Sequence, residues 1–242
     1  MQDDSSESSA ESGFVARMEA VYTARGYDAD PRYSEFSPAY LHRVQTMEAA
    51  YLHCLRRLGV HERLNRSRAL DFGCGNGHWV ARMLSWGFHQ ENLCGVDVRE
   101  GAVLAARQLL PGVRIERSVD GVVPFAADFF DICLVNLVFT SILDDARRVQ
   151  AANELLRITR PGGAILVLDF RFNNPSNPNV RLLRLKQLQT LFANCEMIEQ
   201  RALVLAPPIA ARIAPRARWL ASALETLPFL RTHFLAVLRT PT

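Results

Sequence analysis

From residue 69 onward, short apolar runs alternate along the chain with stretches whose apolar residues recur at helical spacing. The runs at residues 132–135 and 165–168 are continuously apolar, whereas a half-exposed strand would alternate apolar and polar side chains. Continuous runs are typical of parallel strands that helices cover on both faces. The pattern predicts a doubly wound α/β sheet, with strands at residues 69–72, 93–98, 113–117, 130–137, 164–170, 196–205 and 233–239 and helices at 78–86, 100–110, 144–160 and 180–193.

The N-terminal part of the chain has a different character. Residues 1–12 are rich in serine and acidic residues and contain no basic residue, which predicts a disordered acidic tail. Residues 13–66 carry two helical patterns, at 14–25 and 38–58, and we expect them to form a helical lid over a main domain of residues 67–242. Within that domain, residues 206–231 form an apolar and basic insert.

One turn carries the clearest chemical signal. The first predicted strand runs into three glycines at alternate positions, Gly73, Gly75 and Gly77. Glycine accepts positive φ and has no side chain, so the backbone can approach a ligand closely. The next predicted strand reaches Asp97, whose carboxylate is placed to bind the two hydroxyls of a ribose. Together these features predict a site for an adenosine-containing cofactor.

A dinucleotide-binding turn is the nearest alternative. Its pattern, GxGxxG, needs a third glycine that allows close helix packing and leaves room for a pyrophosphate. Counting from Gly73 places His78 in that position, and counting from Gly75 places Val80 there. Because neither register supplies the glycine, the pattern argues against an oxidoreductase that uses a nicotinamide cofactor.

The pattern D-x-G-x-G-x-G that starts at Asp71 resembles motif I of the class I S-adenosylmethionine-dependent methyltransferases. Asp97 matches the ribose-binding acid of that family, residues 129–131 match its F-D motif at strand 4, and residues 161–163 match its P-G-G turn before strand 5. The resemblance spans residues 69–170. It implies a Rossmann-like sheet in the order 3-2-1-4-5-7-6 with strand 7 antiparallel, and S-adenosylmethionine as the cofactor of a methyl transfer.

A narrower similarity connects the chain with a bacterial subgroup associated with glycan or secondary-metabolite methylation. It rests on short segments at residues 32–34, 140–144, 169–171, 173–175, 206–208 and 230–233. This similarity implies that the acceptor is a hydroxyl or amine of a small molecule, a sugar or a natural product. The insert, residues 206–231, is amphipathic and basic, and we expect it to cover the acceptor side.

The family resemblance assigns roles around the cofactor. Asp71 would fix the turn through backbone donors, and Val98 would lie against the adenine. Asp120 either accepts from the adenine amino group or is a turn residue, because Asp-Gly is a turn signal in its own right. Arg32 and Tyr33 would close over the cofactor carboxylate. The full set of implied cofactor residues is Asp71, Gly73, Cys74, Gly75, Gly77, Asp97, Val98, Asp120, Asn136, Arg32 and Tyr33.

The acceptor side has three candidate catalytic residues, Asp169, Arg171 and His233. Asp169 lies at the carboxyl end of strand 5, and an antiparallel strand 7 would start with His233 at the same rim. A hydroxyl acceptor benefits from a base close to its proton. Two plainer interpretations stay open: Asp169 caps the loop or bonds Arg171, and His233 is a structural histidine. We expect no metal ion.

Charge is distributed unevenly. The net charge is +3, but residues 171–242 hold ten basic against three acidic residues. This excess predicts an anionic acceptor, contact with a membrane surface or a merely solvated basic face. Nucleic acid is a disfavoured partner, because base-methylating enzymes of this fold carry a prolyl platform after strand 4, where residues 135–139 read Val-Asn-Leu-Val-Phe. An RNA or other macromolecule methyltransferase and a non-catalytic protein with a cofactor fold are the alternative functions.

Composition suggests the cellular setting. The five cysteines show no C-x-x-C or metal-ligand spacing, so we expect free, buried thiols in a reducing cytoplasm. The chain has no uncharged apolar run of about 18 residues that would span a membrane, and its start does not resemble a signal peptide. The apolar insert offers a surface for a homodimer.

Overall fold

The computed structural model describes residues 4–25, 30–173 and 177–242. Across these ranges the strands are β1 Ala69–Phe72, β2 Leu93–Asp97, β3 Arg114–Arg117, β4 Phe130–Asn136, β5 Thr159–Phe170, β6 Glu196–Leu205 and β7 Arg231–Arg239. They form one sheet in the order β3-β2-β1-β4-β5-β7-β6. The pairs from β3 to β5 are parallel, whereas β7 runs antiparallel to β5 and β6. The predicted fold class, strand order and antiparallel strand 7 are confirmed.

Helices pack on both faces of the sheet. They are α1 Asp4–Arg25, α2 Pro38–Arg57, α3 His78–Trp86, α4 Glu100–Leu109, α5 Asp145–Ile158, α6 Leu185–Leu191, α7 Pro207–Ile213 and α8 Arg218–Glu225. Helices α2, α3 and α4 contribute to the core on one face, and α5 and α6 to the core on the other. None of the helices in the described ranges combines the length and the apolarity that crossing a membrane would require.

The central strands are buried on both faces, which explains their continuous apolar runs. In β4, Ile132 and Leu134 point into the core with α2 and α3, whereas Cys133 and Val135 point into the core with α5. All four side chains have no exposed surface. Free thiols fill part of these cores, as predicted, since four of the five cysteines are buried.

The N-terminal region differs from its prediction. Residues 4–12, predicted as disordered, belong to helix α1, and residues 1–3 lie outside the described residues. Acidic residues are favourable near a helix N-terminus, where the backbone dipole is positive. The predicted lid of residues 13–66 divides in two, because α2 buries Met47, Tyr51 and Leu55 in the core of the main domain.

Two other boundaries also shift. Strand β5 starts at Thr159, five residues before the predicted strand, because Thr159 takes an extended conformation and pairs with Phe130. A register shift and a positive φ of 70° at Gly162 then accommodate the P-G-G segment as an irregularity inside the strand. Helix α6 is shorter than predicted, because the chain is still extended at Arg184. In the subgroup pattern at residues 173–175, residues 174 and 175 lie outside the described residues.

We predict that Leu134→Ala lowers the free energy of unfolding by about 2–5 kcal/mol, because the fully buried side chain leaves a cavity in the middle of the sheet. Urea denaturation with linear extrapolation measures this change. The matched control is Leu104→Ala on α4, where the side chain is 52% exposed and the effect should stay within about 0.5 kcal/mol. Equal effects of the two variants would contradict this description of the core.

Candidate active site

The glycine turn lies where the strand order reverses. Strands β2 and β4 flank β1 on its two sides, so the loop after β1 stands at the topological switch point, the usual ligand position in open α/β sheets. Gly73, Gly75 and Gly77 have φ values of 77°, 54° and 89°. A Cβ atom on Gly73 would stand 2.5 Å from Val138 Cγ2. The turn therefore needs glycine for its backbone conformation and, at Gly73, for packing.

Asp97 holds this turn from the neighbouring strand. Its Oδ2 atom accepts a hydrogen bond from the Gly75 backbone N–H at 2.9 Å. Its Oδ1 atom accepts from the Arg99 backbone N–H at 2.9 Å, and the Arg99 Nε atom lies 3.3 Å from the same oxygen. Asp97 is only 8% exposed. The acid at the end of β2 is thus fixed beside the glycine turn, as the family resemblance requires.

A cavity opens in front of the turn. Gly73, Asp97, Val98 and Asn136 line its inner side at the ends of β1, β2 and β4. The structure therefore brings together four of the predicted cofactor residues. Leu137, which follows β4 and also lines the cavity, has a φ of 58°. Positive φ is uncommon outside glycine, so the backbone is strained at this wall.

Helix α1 forms the outer wall of the same cavity. Phe14, Met18 and Tyr22 line it at successive turns of the helix. The Arg99 guanidinium carbon lies 3.9 Å from the centre of the Tyr22 ring, within the range of a cation–π contact. Arg17 donates a hydrogen bond to the Ser141 carbonyl oxygen at 2.7 Å. These contacts join α1 to Asp97 through Arg99.

Asp71 is buried at the start of the turn without a hydrogen-bond donor. Neither carboxylate oxygen accepts a hydrogen bond from any described residue, and the same holds for Asn136 Oδ1. Burial, with a contribution from the charge of Asp97, raises the pKa of Asp71 to about 7. The expectation that Asp71 fixes the turn through backbone donors is therefore wrong. The carboxylate of Asp97 has that role, because it reaches the Gly75 N–H.

Two other predicted cofactor residues, Arg32 and Tyr33, do not line the cavity. Arg32 is exposed and its guanidinium bonds Asp30. Tyr33 packs edge to face on Tyr40, with ring centres 6.2 Å apart. Neither residue lines the cavity, so the expected closure over the cofactor is not present in this conformation.

Asp120 has the conformation of a turn residue. Its φ is 52°, and its carbonyl oxygen accepts from Gln150 Nε2 at 2.9 Å. Its neighbours Ser118 and Gly121 line the cavity, whereas Asp120 is exposed. Of the two interpretations of Asp120, the structure favours the turn.

The acceptor-side candidates lie behind the cavity, where β5 meets β7. Asp169 has no exposed surface and accepts from the backbone N–H groups of Thr140 at 3.0 Å and Phe170 at 2.7 Å. Burial raises its pKa to about 7, although both hydrogen bonds oppose this. These contacts agree with the interpretation that Asp169 caps the loop. Arg171 instead donates to the carbonyl oxygens of Pro228 and Arg231, each at 2.9 Å, and joins the insert to the sheet.

His233 pairs with Phe170 in the β5–β7 register, and its side chain lies on the face of the sheet opposite to that of Asp169, which pairs with Phe234. Its Nδ1 atom lies 3.0 Å from Thr232 Oγ1, and its Nε2 atom is buried without a partner among the described residues. Burial, with a smaller effect from Arg43, lowers the pKa of His233 to about 3. The imidazole is therefore neutral at physiological pH.

Several residues of the site were missed from the sequence. Arg99 lies only two positions after Asp97, and its proximity to a predicted site acid was the available signal. Phe14, Met18 and Tyr22 recur at intervals of four, which is the spacing of one helix face.

Comparison with known proteins identifies the family. Residues 70–167 match the family model described as "Methyltransferase domain". This part of the chain is a methyltransferase domain of the S-adenosylmethionine-dependent class I type. The match covers β1 to most of β5 and therefore includes the glycine turn, Asp97 and Asn136 of this methyltransferase.

Its curated relatives are distant. The Ubiquinone/menaquinone biosynthesis C-methyltransferase UbiE of Geobacter sulfurreducens is 25% identical over 179 residues, which cover 67% of this chain and 63% of that protein. The Phthiotriol/phenolphthiotriol dimycocerosates methyltransferase 1 of Mycobacterium ulcerans is 31% identical over 129 residues, covering 52% of this chain and 45% of that protein. The methyltransferase chain thus aligns with less than two thirds of the length of these relatives.

Solved structures support the fold. The PH0226 protein from Pyrococcus horikoshii has a TM-score of 0.61 at 14% identity, and the alignment covers 88% of this chain and 97% of that one. A putative sarcosine dimethylglycine methyltransferase from Galdieria sulphuraria also has a TM-score of 0.61, at 11% identity, with 81% and 85% covered. These similarities concern the fold alone.

The residues at the site fit S-adenosylmethionine. This molecule has two ribose hydroxyls, an ammonium group and a positively charged sulfonium. Among the described side chains beside the turn, the Asp71 carboxylate, the Asn136 carbonyl oxygen and the His78 Nε2 atom have unused hydrogen-bonding capacity, and the first two are acceptors. Asp97 adds a second carboxylate. Such a set suits a ligand that carries positive charge and hydroxyl donors.

We predict that Asp71→Asn flattens the dependence of stability on pH. The unfolded chain ionises this carboxyl near its ordinary pKa of 3.8, whereas the folded protein keeps the proton up to about pH 7. The stability that protonation provides is therefore complete below about pH 4 and lost as the pH rises through about 7. Between these values the slope should change by up to about 1.4 kcal/mol per pH unit.

Urea denaturation across this pH range tests the prediction. The matched control is Asp128→Asn, since Asp128 is exposed and its φ of 55° is one that asparagine tolerates. The control should keep the slope of the wild-type protein. A slope in Asp71→Asn equal to that of the control would contradict the burial of an ionisable Asp71.

Proposed function

We propose that this protein transfers a methyl group from S-adenosylmethionine to a hydroxyl or amine of a small molecule, with sugars and natural products as the acceptor classes. The observation that carries the proposal is the turn of three glycines with positive φ, bonded through Gly75 to the buried Asp97. Such a turn lets the backbone approach a ligand, and the carboxylate beside it suits a ribose.

The cofactor supplies a methyl group that its sulfonium already activates for transfer. The protein then needs mainly to position two reactants and to exclude water. Asp97 would bind the ribose hydroxyls, Val98 would contact the base, and the Asp71 carboxylate would pair with the ammonium group. Phe14 and Met18 of α1 would shield the site from solvent.

Asp169 is a better candidate than His233 for the general base that takes a proton from the acceptor. A general base works best when its pKa lies near the operating pH, which fits a carboxyl with a pKa of about 7. His233, with a pKa of about 3, is a weak base in this environment. Its neutral ring, 4.6 Å from the ring of Phe170, would instead shape the acceptor pocket.

Carbon methylation is a second candidate reaction. The relative from Geobacter sulfurreducens is named a C-methyltransferase of ubiquinone/menaquinone biosynthesis, and the one from Mycobacterium ulcerans acts, by its name, on a triol. An activated aromatic carbon and a hydroxyl both lose a proton during methylation, so the same base serves either reaction. The position of the new methyl group distinguishes the two.

We predict that S-adenosylhomocysteine binds to the purified protein and that Asp97→Asn weakens this binding about ten- to hundredfold. The asparagine oxygen can still accept from Gly75, whereas the charge-assisted bonds to the ribose are lost, each worth about 1.5–3 kcal/mol. Isothermal titration calorimetry measures the affinity.

The controls for this titration are Arg32→Ala and NAD. Arg32 is exposed and bonds Asp30, so its removal should leave the affinity unchanged. Weaker binding by Arg32→Ala would instead support the expectation that Arg32 closes over the cofactor. NAD should not compete. Preferential binding of NAD, or full affinity in Asp97→Asn, would refute the proposed site.

We predict that Asp169→Asn lowers the rate of methyl transfer and removes its rise with pH around 7, because the variant lacks the carboxyl that takes the proton. Product formation is followed by mass spectrometry with a deuterated methyl donor and a panel containing a long-chain diol, a hydroquinone and an amino sugar. Fragmentation locates the methyl on oxygen, nitrogen or carbon. Asp128→Asn is the control, and an unchanged pH profile in Asp169→Asn would exclude Asp169 as the base.

A further inference from the structure

The insert, residues 206–231, exposes several large apolar side chains. Trp219 is 74% exposed, Phe229 72% and Leu227 38%. Phe172, in the loop after β5, is 53% exposed. Isolated exposed apolar residues are common on soluble proteins, so the question is whether these four form one surface.

Helix α8 exposes Trp219 on its outer side. The helix spans Arg218–Glu225, and residues four apart share a helix face, so Trp219 and the exposed Ala223 form a stripe along it. Leu227 follows two residues after the helix in an extended conformation and is also exposed. The opposite side is occupied, because Ala221 is fully buried against Leu205, Ala210 and Ala214. The exposed stripe is therefore the outer side of a helix whose inner side is already packed.

The side chain of Arg171, the residue before Phe172, bonds the segment that follows α8. Arg171 donates to the carbonyl oxygens of Pro228 and Arg231, which lie on either side of Phe229 and Leu230. Its guanidinium also lies 5.3 Å from the Phe172 ring. The loop after β5 is thus fixed against the end of the insert. We call Trp219, Leu227, Phe229 and Phe172 the rim patch.

The surroundings of the rim patch are basic. Arg212, Arg216 and Arg218 are exposed and precede or adjoin Trp219. Beyond residue 199 the sequence contains a single acid, Glu225. Its carboxylate is turned inward, where it accepts from Thr46 Oγ1 at 3.0 Å and from the Val204 N–H at 2.8 Å. Exposed aromatic residues among arginines, without an exposed carboxylate, match the chemistry of an anionic membrane surface.

We propose that the rim patch docks this methyltransferase on an anionic lipid bilayer. The aromatic rings would enter the boundary between headgroups and acyl chains, and Arg212 and Arg216 would contact the phosphates. The patch belongs to the segments that enter β7 and leave β5, beside Asp169 and His233. The acceptor would therefore reach the site from the membrane. This inference rests on the proposed function and adds that the acceptor is embedded in a lipid bilayer.

Vesicle flotation tests the docking. The full-length protein is mixed with vesicles of phosphatidylcholine and phosphatidylglycerol in equal parts, or of phosphatidylcholine alone. We expect flotation with the anionic vesicles, weaker flotation with the neutral ones and a loss of binding as sodium chloride is raised. The double variant Trp219→Ser with Phe229→Ser should bind about tenfold or more weakly. Arg212→Gln and Arg216→Gln should each weaken binding about fivefold.

Matched control variants lie outside the rim patch and the insert. Leu109→Ser removes an apolar side chain that is 58% exposed on α4, and Arg66→Gln removes an exposed charge before β1. Both should float like the wild-type protein. The docking is overturned if the wild-type protein does not float, if the rim-patch variants float as well as the controls, or if light scattering shows that the patch instead joins two copies of the chain.

Titration with S-adenosylhomocysteine in lipid-free buffer accompanies every variant. It reports that each variant is folded, and it separates the two proposals. Normal binding of S-adenosylhomocysteine without flotation would overturn the docking and leave the proposed function intact. Flotation without binding of S-adenosylhomocysteine would support the docking and overturn the proposed function.

Discussion

The hydrogen bonding between the glycine turn and the end of β2 fixes the geometry of the site. The Gly75 N–H donates to the Asp97 carboxylate, and the N–H groups of Gly73 and Cys74 donate to the Val96 carbonyl oxygen. These bonds tie the loop after β1 to β2, across the point where the strand order reverses. The turn can adopt three positive φ values only because glycine occupies those positions, and it stays in place because a neighbouring strand supplies an acceptor. The sheet topology, the glycine spacing and the position of the acid are thus parts of one constraint.

The sequence predicted the parts of this arrangement that depend on local chemistry. Strands β1 and β6 have the predicted boundaries, because β1 is largely buried and runs directly into the glycine turn, whereas β6 ends in a buried apolar run, residues 203–205, before the prolines that start α7. The glycine turn and Asp97 were recognisable for a similar reason, since few residues can replace glycine at positive φ or a carboxylate at a ribose. These constraints act on single positions, so they are visible in a single sequence.

What the sequence did not predict depends on contacts between distant segments. Asp71 lacks backbone donors because the N–H groups of Gly73, Cys74 and Gly75 bond the Val96 carbonyl oxygen and the Asp97 carboxylate instead. Arg32 bonds the nearby Asp30 rather than reaching the site, since a local ion pair competes with a distant one. The extra length of β5 arises from pairing of Thr159 with Phe130, a contact made possible by the irregularity at Gly162. Strand pairing of this kind has no signature in the residues themselves.

Arg99 stands between Asp97 and the ring of Tyr22, so the outer wall of the cavity and the acid on its inner side share one guanidinium. A ligand that takes over the Asp97 carboxylate changes how strongly Arg99 is held there, and hence how strongly it holds α1. The two equilibria are thermodynamically linked. If docking of α1 strengthens ligand binding by a certain free energy, ligand binding strengthens docking of α1 by the same free energy. Helix α1 therefore behaves like a second ligand of the site. Because it is covalently attached, its effective concentration at the site is high.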